Sequence, residues 1–420
     1  MVMGNNNPSS SPELDFENLK AIKILGEGAM GRVFLVHHTS TDPTARSTFA
    51  LKVVQRSRRD ADRRARWEME VLARLSSPDP TLHHPFLPRL LGRLETPDLI
   101  AWAVPYCPGS DLNVLRYRQH DRVFSAAVIQ FYLAEILCAL DHLHSQGIVY
   151  RDLKPENILI QQSGHVTLTD FDLSRNLKKK QSSHPENVFL DKKDPNSLPA
   201  IPFQRKHRIS FAQWVPVVDD KKHGKAHNKK PKSSRVSPVS RRKLSFSNGE
   251  RSYSFVGTEE YISPEVVLGD GHGFAVDWWA LGILSYEMFY GTTPFRGKNR
   301  KETFRNVLYR VPEFMGPRND LTDLIGRLLE KDPTKRLGYH RGACEIKEHA
   351  FFRGVMWDLL TSVSRPPFIP STEDDGSTEK VVPGQIDILE YYESLKSPLL
   401  MPQSKSPSPE HRRNYSFTVY

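Results

Sequence analysis

The stretch YRDLKPEN, residues 150–157, decides how the rest of the chain is interpreted. A long amphipathic run precedes it and ends at Gly147, where a glycine that caps a helix C-terminus belongs. A short hairpin pattern, NILIQQSGHVTLTDF, follows it and turns at Ser163-Gly164. We therefore expect residues 150–157 to form a loop held between two rigid elements, a common setting for functional groups.

The residue types in and after this loop suit the transfer of a phosphoryl group, which needs positioned charges more than covalent chemistry. Asp152 is the candidate base, because a carboxylate can orient a hydroxyl and accept its proton. Asn157 and Asp170 are the candidate metal ligands, since their oxygens suit a hard cation such as Mg²⁺. Lys154 can neutralise charge on the transferred group. The alternative is a loop that carries these residue types for structural reasons only.

A glycine-rich motif, GEGAMG, lies at residues 26–31. The same glycine spacing occurs in dinucleotide-binding folds, where a helix must follow the glycines. Here the β-branched run RVFLVHH follows, and FALKVV comes after it. The order strand, turn, strand therefore favours a flap over the phosphates of ATP. An ordinary hairpin turn is the simpler alternative.

Lys52 ends the run Ala-Leu-Lys on the next predicted strand, where its ammonium can meet the α- and β-phosphates. Glu68, on a helix predicted over about 60–75, is the expected partner of Lys52, with Glu70 as a close competitor. A solvated lysine and a solvated helical charge are the alternatives. The candidate ATP-binding residues are then Gly26, Glu27, Gly28, Gly31, Val33, Lys52 and Glu68.

The composition indicates a folded chain with long irregular parts. Of its 420 residues, 38% are hydrophobic and 26% are charged, close to the globular average, and 31 are proline. The three cysteines, Cys107, Cys138 and Cys344, are too scattered to suggest a disulfide framework or a zinc site. The apolar run 274–290 contains two acidic residues, so it predicts a buried helix rather than a membrane span.

The net charge of +10 is concentrated in one segment. Residues 173–253 hold 20 Lys and Arg against 6 Asp and Glu, and the rest of the chain is mildly acidic. Within that segment, residues 221–243 are strongly basic and nearly free of aromatic residues, so direct nucleic-acid binding is not expected. Three interpretations stay open for this stretch: nuclear import, contact with anionic phospholipid at a membrane surface, and a solvated linker.

The changes in composition divide the chain into four parts. A disordered lead-in covers 1–15, a small β-rich unit covers 16–104, a larger α-rich unit covers 105–352, and a tail rich in proline and serine covers 353–420. The basic segment 173–253 is a long flexible insertion within the α-rich unit. The arginines between Arg56 and Arg66 predict a solvated helical face rather than a docking patch.

These motifs occur in the order that defines the eukaryotic protein kinases, which the chain resembles from about Phe16 to Phe352. Asp170-Phe171, Ser263-Pro264-Glu265, Asp277 in DWWALG and Arg336 in RLG continue the match. The tyrosine of YRDLKPEN and the later stretch RLGYHRGACEIKEHAFFRGVMWDLL resemble the AGC group of serine/threonine kinases. Asp172 stands where a DFG motif ends in glycine, and a long insertion follows it. Both features are similar to the plant-specific AGC kinases, most of all the UNICELLULAR type.

The resemblance implies an α+β, two-lobed protein kinase fold, with a β-rich N-lobe, a larger α-rich C-lobe and a hinge near Pro105 to Pro108. ATP would bind in the cleft between the lobes with Mg²⁺. The implied activity is transfer of the ATP γ-phosphate to Ser or Thr hydroxyls of protein substrates, in signalling that controls plant growth or development. A catalytically weak pseudokinase or scaffold is the rival, because Asp172 adds a carboxylate beside the metal ligands.

The resemblance also implies a preference for phosphorylation sites near basic residues. Asp111, Glu156 and Glu287 match acidic positions that contact substrate arginines in related kinases. Opposite charges on enzyme and substrate give this preference a physical basis.

Two sites of regulation follow from the same resemblance. Ser254 matches the activation-loop phosphosite, with Ser252 as its rival, and a phosphate there would pair with Arg151. The last residues, Phe417 to Tyr420, resemble an aromatic motif that docks in a small-lobe pocket of the kinase itself or of the upstream 3-phosphoinositide-dependent kinase. An unstructured tail is the alternative.

We expect a monomer in the cytoplasm and nucleus, with peripheral plasma-membrane association as an alternative.

Overall fold

A computed structural model describes eight stretches of the chain, namely residues 13–28, 30–39, 48–56, 59–76, 84–177, 257–362, 365–370 and 386–396. The chain divides into two units by its internal contacts, one of residues 1–179 with 249–420 and one of residues 180–248. Every described residue belongs to the first unit. The predicted phosphosites Ser252 and Ser254, the basic stretch 221–243 and the terminal motif 417–420 lie outside the described residues.

The N-terminal part forms a five-stranded antiparallel sheet with the strand order β1-β2-β3-β5-β4. Its strands are β1 Leu19–Glu27, β2 Arg32–His38, β3 Thr48–Gln55, β4 Gly92–Glu95 and β5 Leu99–Pro105. The three strands predicted from LKAIKIL, RVFLVHH and STFALKVV are therefore confirmed. The β-branched and aromatic residues of β2 and β3 are buried on both faces of the sheet, whereas the edge strand β1 is mostly half-buried.

Helix α1, Arg59–Leu75, crosses the inner face of this sheet between β3 and β4. Ala65, Met69 and Leu72 recur at helical spacing and are buried in one cluster with Trp102 of β5. The helix predicted over about 60–75 is confirmed. Because these three residues are buried, they determine which charged side chains of α1 face the rest of the lobe.

The C-terminal lobe is mainly helical. Its helices are α2 Leu112–Tyr117, α3 Ala126–Ser145, α4 Pro264–Val267, α5 Ala275–Tyr290, α6 Arg300–Tyr309, α7 Asp320–Leu328 and α8 Ala343–Lys347. Two short antiparallel pairs lie among them, β6 Ile148–Val149 with β9 Arg175–Asn176 and β7 Ile158–Ile160 with β8 Val166–Leu168. The β7-β8 hairpin turns at the predicted Ser163-Gly164, where Gly164 has a φ of 86°.

Helices α3 and α5 form the centre of this lobe. The side chain of Ser125 caps α3 by accepting a hydrogen bond from the N–H of Val128, and Gly147 follows its C-terminus with a left-handed φ of 75°. Helix α3 is long and apolar enough to span a bilayer, but 56% of its most apolar window is buried inside the protein. The predicted buried helix over 274–290 is confirmed as α5.

The insertion was predicted to start at Leu173, but the folded lobe includes the first residues of that segment. Residues 175–176 form β9, and the N–H of Leu177 donates to the carbonyl of Gly147 at 2.7 Å. Leu177 is also buried. Residues 173–177, which were predicted to begin the insertion, therefore belong to the folded lobe, because residues 175–176 pair with β6 and Leu177 bonds to Gly147.

Among the described residues of the C-terminal tail is an α-helix that the composition did not predict, α9, Ile388–Lys396. Ile386, just before it, exchanges two backbone hydrogen bonds with Ala21 of β1. Ile388 and Tyr392 are buried in the core on the outer face of the sheet. This helix therefore completes the small lobe on the side away from α1.

Candidate active site

Lys52 lies at the centre of a buried ionic cluster between the lobes. Its Nζ is 2.8 Å from Oε2 of Glu68 on α1 and 3.1 Å from Oδ1 of Asp170, which follows β8. Glu70, the predicted competitor, is exposed. Glu68 is therefore the helix carboxylate that pairs with Lys52.

The environment of this cluster favours tight charge pairing. Burial raises the pKa of the Glu68 carboxyl, and the Lys52 ammonium opposes that rise. The Lys52 ammonium also lies 5.4 Å from the ring centroid of Trp102. The arrangement fixes a cation beside a carboxylate that is a metal-ligand candidate.

Asp277 of α5 holds the loop 150–157 in place. This fully buried carboxylate accepts hydrogen bonds from the backbone N–H of Tyr150 at 2.9 Å and from that of Arg151 at 2.7 Å. It also contacts Nε2 of His144 at 2.7 Å. Arg151 adopts a left-handed φ of 71°. Asp277 thus holds a backbone conformation that a non-glycine residue rarely adopts unaided.

Asp152 is surrounded by hydrogen-bond donors. Its Oδ2 accepts from Nζ of Lys154 and from Nδ2 of Asn157, both at 2.9 Å, and its Oδ1 accepts from the hydroxyl of Thr258 at 3.3 Å. Burial lowers the pKa of Lys154, but the neighbouring carboxylates of Asp152 and Asp170 outweigh it and raise that pKa overall. Thr258 was not among the predicted residues, although it lies in the kinase-like stretch VGTEEY.

Asn157 and Asp170 fit the requirements of a divalent cation. Asn157 is fully buried, and its Oδ1 has no hydrogen-bond partner in the described part of the chain. Such a buried amide oxygen is costly unless a cation or water meets it. Asp170 has a φ of 59°, a strained conformation of the kind found at functional sites. The two residues therefore offer oxygen ligands suited to Mg²⁺.

The glycine-rich turn between β1 and β2 is packed against β3. The N–H of Gly28 donates to the carbonyl of Gly31 at 2.9 Å, and a Cβ on Gly31 would lie 2.1 Å from the carbonyl oxygen of Val53. Only glycine fits there. Val33 is buried and lies opposite Lys52 in the strand register, while Glu27 and Arg32 form an ion pair at 2.6 Å across the turn.

The three predicted acidic recognition residues lie in one acidic region, and each has a protein partner. Asp111 caps α2 by accepting from the N–H of Val114 at 2.8 Å. Glu156 accepts from Nδ2 of Asn113 at 3.1 Å and is half-buried. The carboxylate of Glu287 accepts from Arg116 at 3.0 Å and from the hydroxyl of Tyr261 at 2.5 Å.

Burial alters the charge balance of this region. It raises the pKa of Asp111 to about 6, and it raises the pKa of Glu287 against the opposing charge of Arg116. Glu156 adds a nearby negative charge to both. The region therefore favours an incoming cation.

Asp172 points towards helix α1. Its side chain is 4% exposed and forms an ion pair with Arg64. Burial and the Asp170 carboxylate raise the pKa of Asp172 to about 6, while Lys52 and Arg64 act in the opposite direction. Arg64 stays 39% exposed, in keeping with the solvated face predicted for the α1 arginines, but it also pairs with a buried carboxylate distant in sequence.

The fold and the cleft match a known protein family. The protein kinase domain matches residues 19–192 and 243–352. The chain belongs to the protein kinase family. The gap in the match falls within the basic insertion, so the family's domain is interrupted at the position that the sequence indicated.

The kinase is similar along nearly its whole length to plant serine/threonine-protein kinases. It is 58% identical to serine/threonine-protein kinase UCNL of Arabidopsis thaliana, over 98% of each chain. It is 59% identical to the kinase UCN of the same plant, over 93% of this chain and 94% of that protein. It is 42% identical to the kinase OXI1, over 90% and 85%. The kinase is thus of the plant AGC serine/threonine type.

Proposed function

We propose that the kinase transfers the γ-phosphate of ATP to Ser or Thr hydroxyls that lie near basic residues of protein substrates. The observation that supports this most directly is the geometry around Asp152, whose carboxylate has Lys154 and Asn157 at 2.9 Å. In this arrangement Asp152 would orient the substrate hydroxyl and accept its proton, while Lys154 would stabilise the charge of the phosphoryl group.

The remaining cleft residues would hold the nucleotide. Lys52, fixed by Glu68 at 2.8 Å, would neutralise the α- and β-phosphates. Asn157 and Asp170 would hold Mg²⁺, which supplies charge neutralisation on the phosphate oxygens when bound. The turn 26–31 would cover the phosphates with backbone N–H groups.

The pseudokinase interpretation rested on Asp172. Arg64 compensates the charge of that carboxylate, and Lys52, Glu68, Asp152, Asn157 and Asp170 all lie in the same cleft. No second function is therefore proposed. The added carboxylate is better explained by its contact with α1.

The test is phosphate transfer by the purified full chain. We expect the wild type, with Mg²⁺ and labelled ATP, to label a basic Ser-containing peptide, and we expect an Asp152→Asn variant to be inactive in the same preparation. Equal labelling by both proteins would exclude Asp152 as the base. No transfer by a phosphorylated wild type would refute the proposed activity.

We infer that phosphorylation at Ser254, or at Ser252, activates the kinase. Arg151 and Arg175 are neighbouring cations: the Nε of Arg151 donates to the carbonyl of Leu173 at 2.7 Å, and burial and the charge of Arg175 lower the pKa of the Arg151 guanidinium to about 10. Neighbouring cations of this kind favour an incoming anion. Replacing each serine by alanine in turn, followed by incubation with an upstream kinase, identifies the site that activates.

We further propose that Phe417 to Tyr420 bind the upstream 3-phosphoinositide-dependent kinase, with the small lobe of the kinase itself as the competing target. Deleting these four residues should weaken binding to that upstream kinase. Unchanged binding in a pull-down with the full chain would refute the partner.

For the basic stretch 221–243 we propose a role in location, with nuclear import preferred over anionic phospholipid contact. The kinase would act as a monomer in the cytoplasm and nucleus. A fluorescent fusion in which these lysines and arginines are neutralised should leave the nucleus, and retention of the original distribution would favour a solvated linker.

A further inference from the structure

Helix α1 is linked to every second residue from Asp170 to Asn176, either directly or through Lys52. Asp170 is reached from Glu68 through Lys52, Asp172 pairs with Arg64, Ser174 accepts from Trp67, and Asn176 accepts from Arg74. The Trp67 Nε1 to Ser174 Oγ distance is 3.0 Å, and the Arg74 Nη1 to Asn176 Oδ1 distance is 3.1 Å. We call these four contacts the α1 ladder.

The ladder uses one face of the helix. Arg64, Trp67 and Glu68 are three and four positions apart, and Arg74 follows six positions later, so all four side chains leave α1 within about a third of its circumference. The facing residues are also tied to their own surroundings. The hydroxyl of Ser174 donates to the carbonyl of Phe171 at 2.6 Å. The ladder therefore joins α1 to the same segment that carries Asp170.

The Arg64–Asp172 contact is the step that distinguishes this chain. A glycine at position 172 would offer no acceptor, whereas the carboxylate is 4% exposed and would be costly without a cation. Arg64 is 39% exposed, so its guanidinium gives up part of its hydration to reach Asp172. An arginine held in this way restricts the rotation of α1 about its axis, which would carry Glu68 away from Lys52.

We propose that Asp172 and Arg64 are positioning residues, which hold α1 with Glu68 against Lys52. The proposal rests on the proposed function, because Lys52 is there the residue that meets the ATP phosphates. Trp67 and Ser174 support the same position one turn further along. Neither Asp172 nor Arg64 takes part in the transfer itself.

The test compares three variants of the full chain: Asp172→Asn, Arg64→Gln and the double variant. The first readout is amide hydrogen exchange of residues 59–75 without nucleotide, and the second is the Kd of a fluorescent ATP analogue with Mg²⁺. Each single variant should exchange faster in α1 and bind the analogue about tenfold more weakly. The double variant should be no weaker than either single one, because both changes remove the same ion pair.

Arg63→Gln is the matched control, since Arg63 lies on the same helix, is 76% exposed and pairs with Asp60 at the surface. It should leave both readouts unchanged. Arg64→Lys keeps a cation in reach of Asp172 and should recover most of the loss. Thermal unfolding of each variant separates loss of the ladder from loss of the fold.

Two outcomes would overturn the proposal. One is unchanged exchange and unchanged analogue binding in the folded Asp172→Asn and Arg64→Gln variants. The other is a double variant whose loss equals the product of the two single losses, which would mean that the two residues act independently. Hydrogen exchange does not require phosphate transfer. An inactive wild type would therefore refute the proposed function, while the exchange of α1 would still test the positioning role of Asp172 and Arg64.

Discussion

The side chain of Asn157 donates to the Asp152 carboxylate at 2.9 Å and leaves its own Oδ1 buried without a partner among the described residues. One amide thus joins the candidate base to the candidate metal site. Its N–H side fixes Asp152, and its oxygen side is available to a cation. A substitution of Asn157 therefore affects both roles at once.

Replacing Asn157 by alanine should raise the Mg²⁺ concentration needed for half-maximal activity at least about tenfold, because one of two protein oxygens is lost. It should also lower kcat, since Asp152 loses a donor. The measurement is a Mg²⁺ titration of peptide phosphorylation at saturating ATP. An Asn157→Ala variant with the wild-type Mg²⁺ dependence would exclude this residue as a ligand.

The recognition of basic peptides should weaken as the pH falls through about 6. Burial raises the pKa of Asp111 to about 6, so its carboxylate is charged at pH 7.5 and largely neutral at pH 5.5. KM for an arginine-containing peptide should therefore rise about fourfold between pH 7.5 and pH 5.5, because about a quarter of the Asp111 side chains keep their charge at pH 5.5. The quantity to measure is KM from pH 5.5 to pH 8.

Two controls isolate Asp111 in that experiment. A peptide with alanines in place of its arginines reports the pH dependence of the rest of the site. The Asp111→Asn variant should bind the arginine peptide weakly at every pH and show a flat KM profile. A variant whose KM still rises towards low pH would assign the effect to another group.

The residues of the cleft were predictable because their chemistry depends on residue type at short, fixed spacing. Asp152, Lys154 and Asn157 lie in one loop, so the sequence order alone brings them together. The sequence favoured Glu68 as the partner of Lys52 but left Glu70 as a close competitor. Two positions on a helix differ by about 200°, so the carboxylates point to opposite sides, and only the packing of α1 decides which one faces Lys52.

Contacts between distant parts of the chain escaped the sequence for the same reason. Arg64 looks like one of several solvated arginines until the fold brings Asp172, 108 positions later, to its side chain. Helix α9 was missed because its short apolar stripe stands in a tail dominated by proline and serine. In both cases the partner surface is formed by tertiary structure, which local periodicity does not describe.

Asp277 should be essential for stability as well as activity. Replacing it by alanine leaves two backbone N–H groups and the His144 ring without their acceptor, which should cost about 3 kcal/mol or more in the free energy of unfolding. Urea denaturation measures the loss. The exposed Asp270 on the preceding loop is a matched control, and Asp270→Ala should stay within about 0.5 kcal/mol of the wild type. Equal stability of the two variants would contradict this assignment.

Helix α9 should stabilise the small lobe through its two buried residues. Tyr392 is 3% exposed, and its hydroxyl donates to the carbonyl of Val53 at 3.1 Å, next to Lys52 in β3. Tyr392→Phe removes that hydrogen bond and the interaction of the hydroxyl with Arg32 and should cost about 1 kcal/mol, whereas Ile388→Ala leaves a cavity and should cost about 2–4 kcal/mol.

The exposed Leu389 on the same helix provides the control for both changes. Leu389→Ala makes a similar change in helix composition but lies outside the buried cluster, so it should change the free energy of unfolding by less than about 0.5 kcal/mol. The measurement is thermal and urea unfolding of the full chain, with and without ATP. If Ile388→Ala were as stable as Leu389→Ala, α9 would not be packed on the sheet in solution. Because Val53 adjoins Lys52, we also expect the Ile388→Ala variant to bind ATP more weakly, which links the tail helix to the nucleotide site through β3.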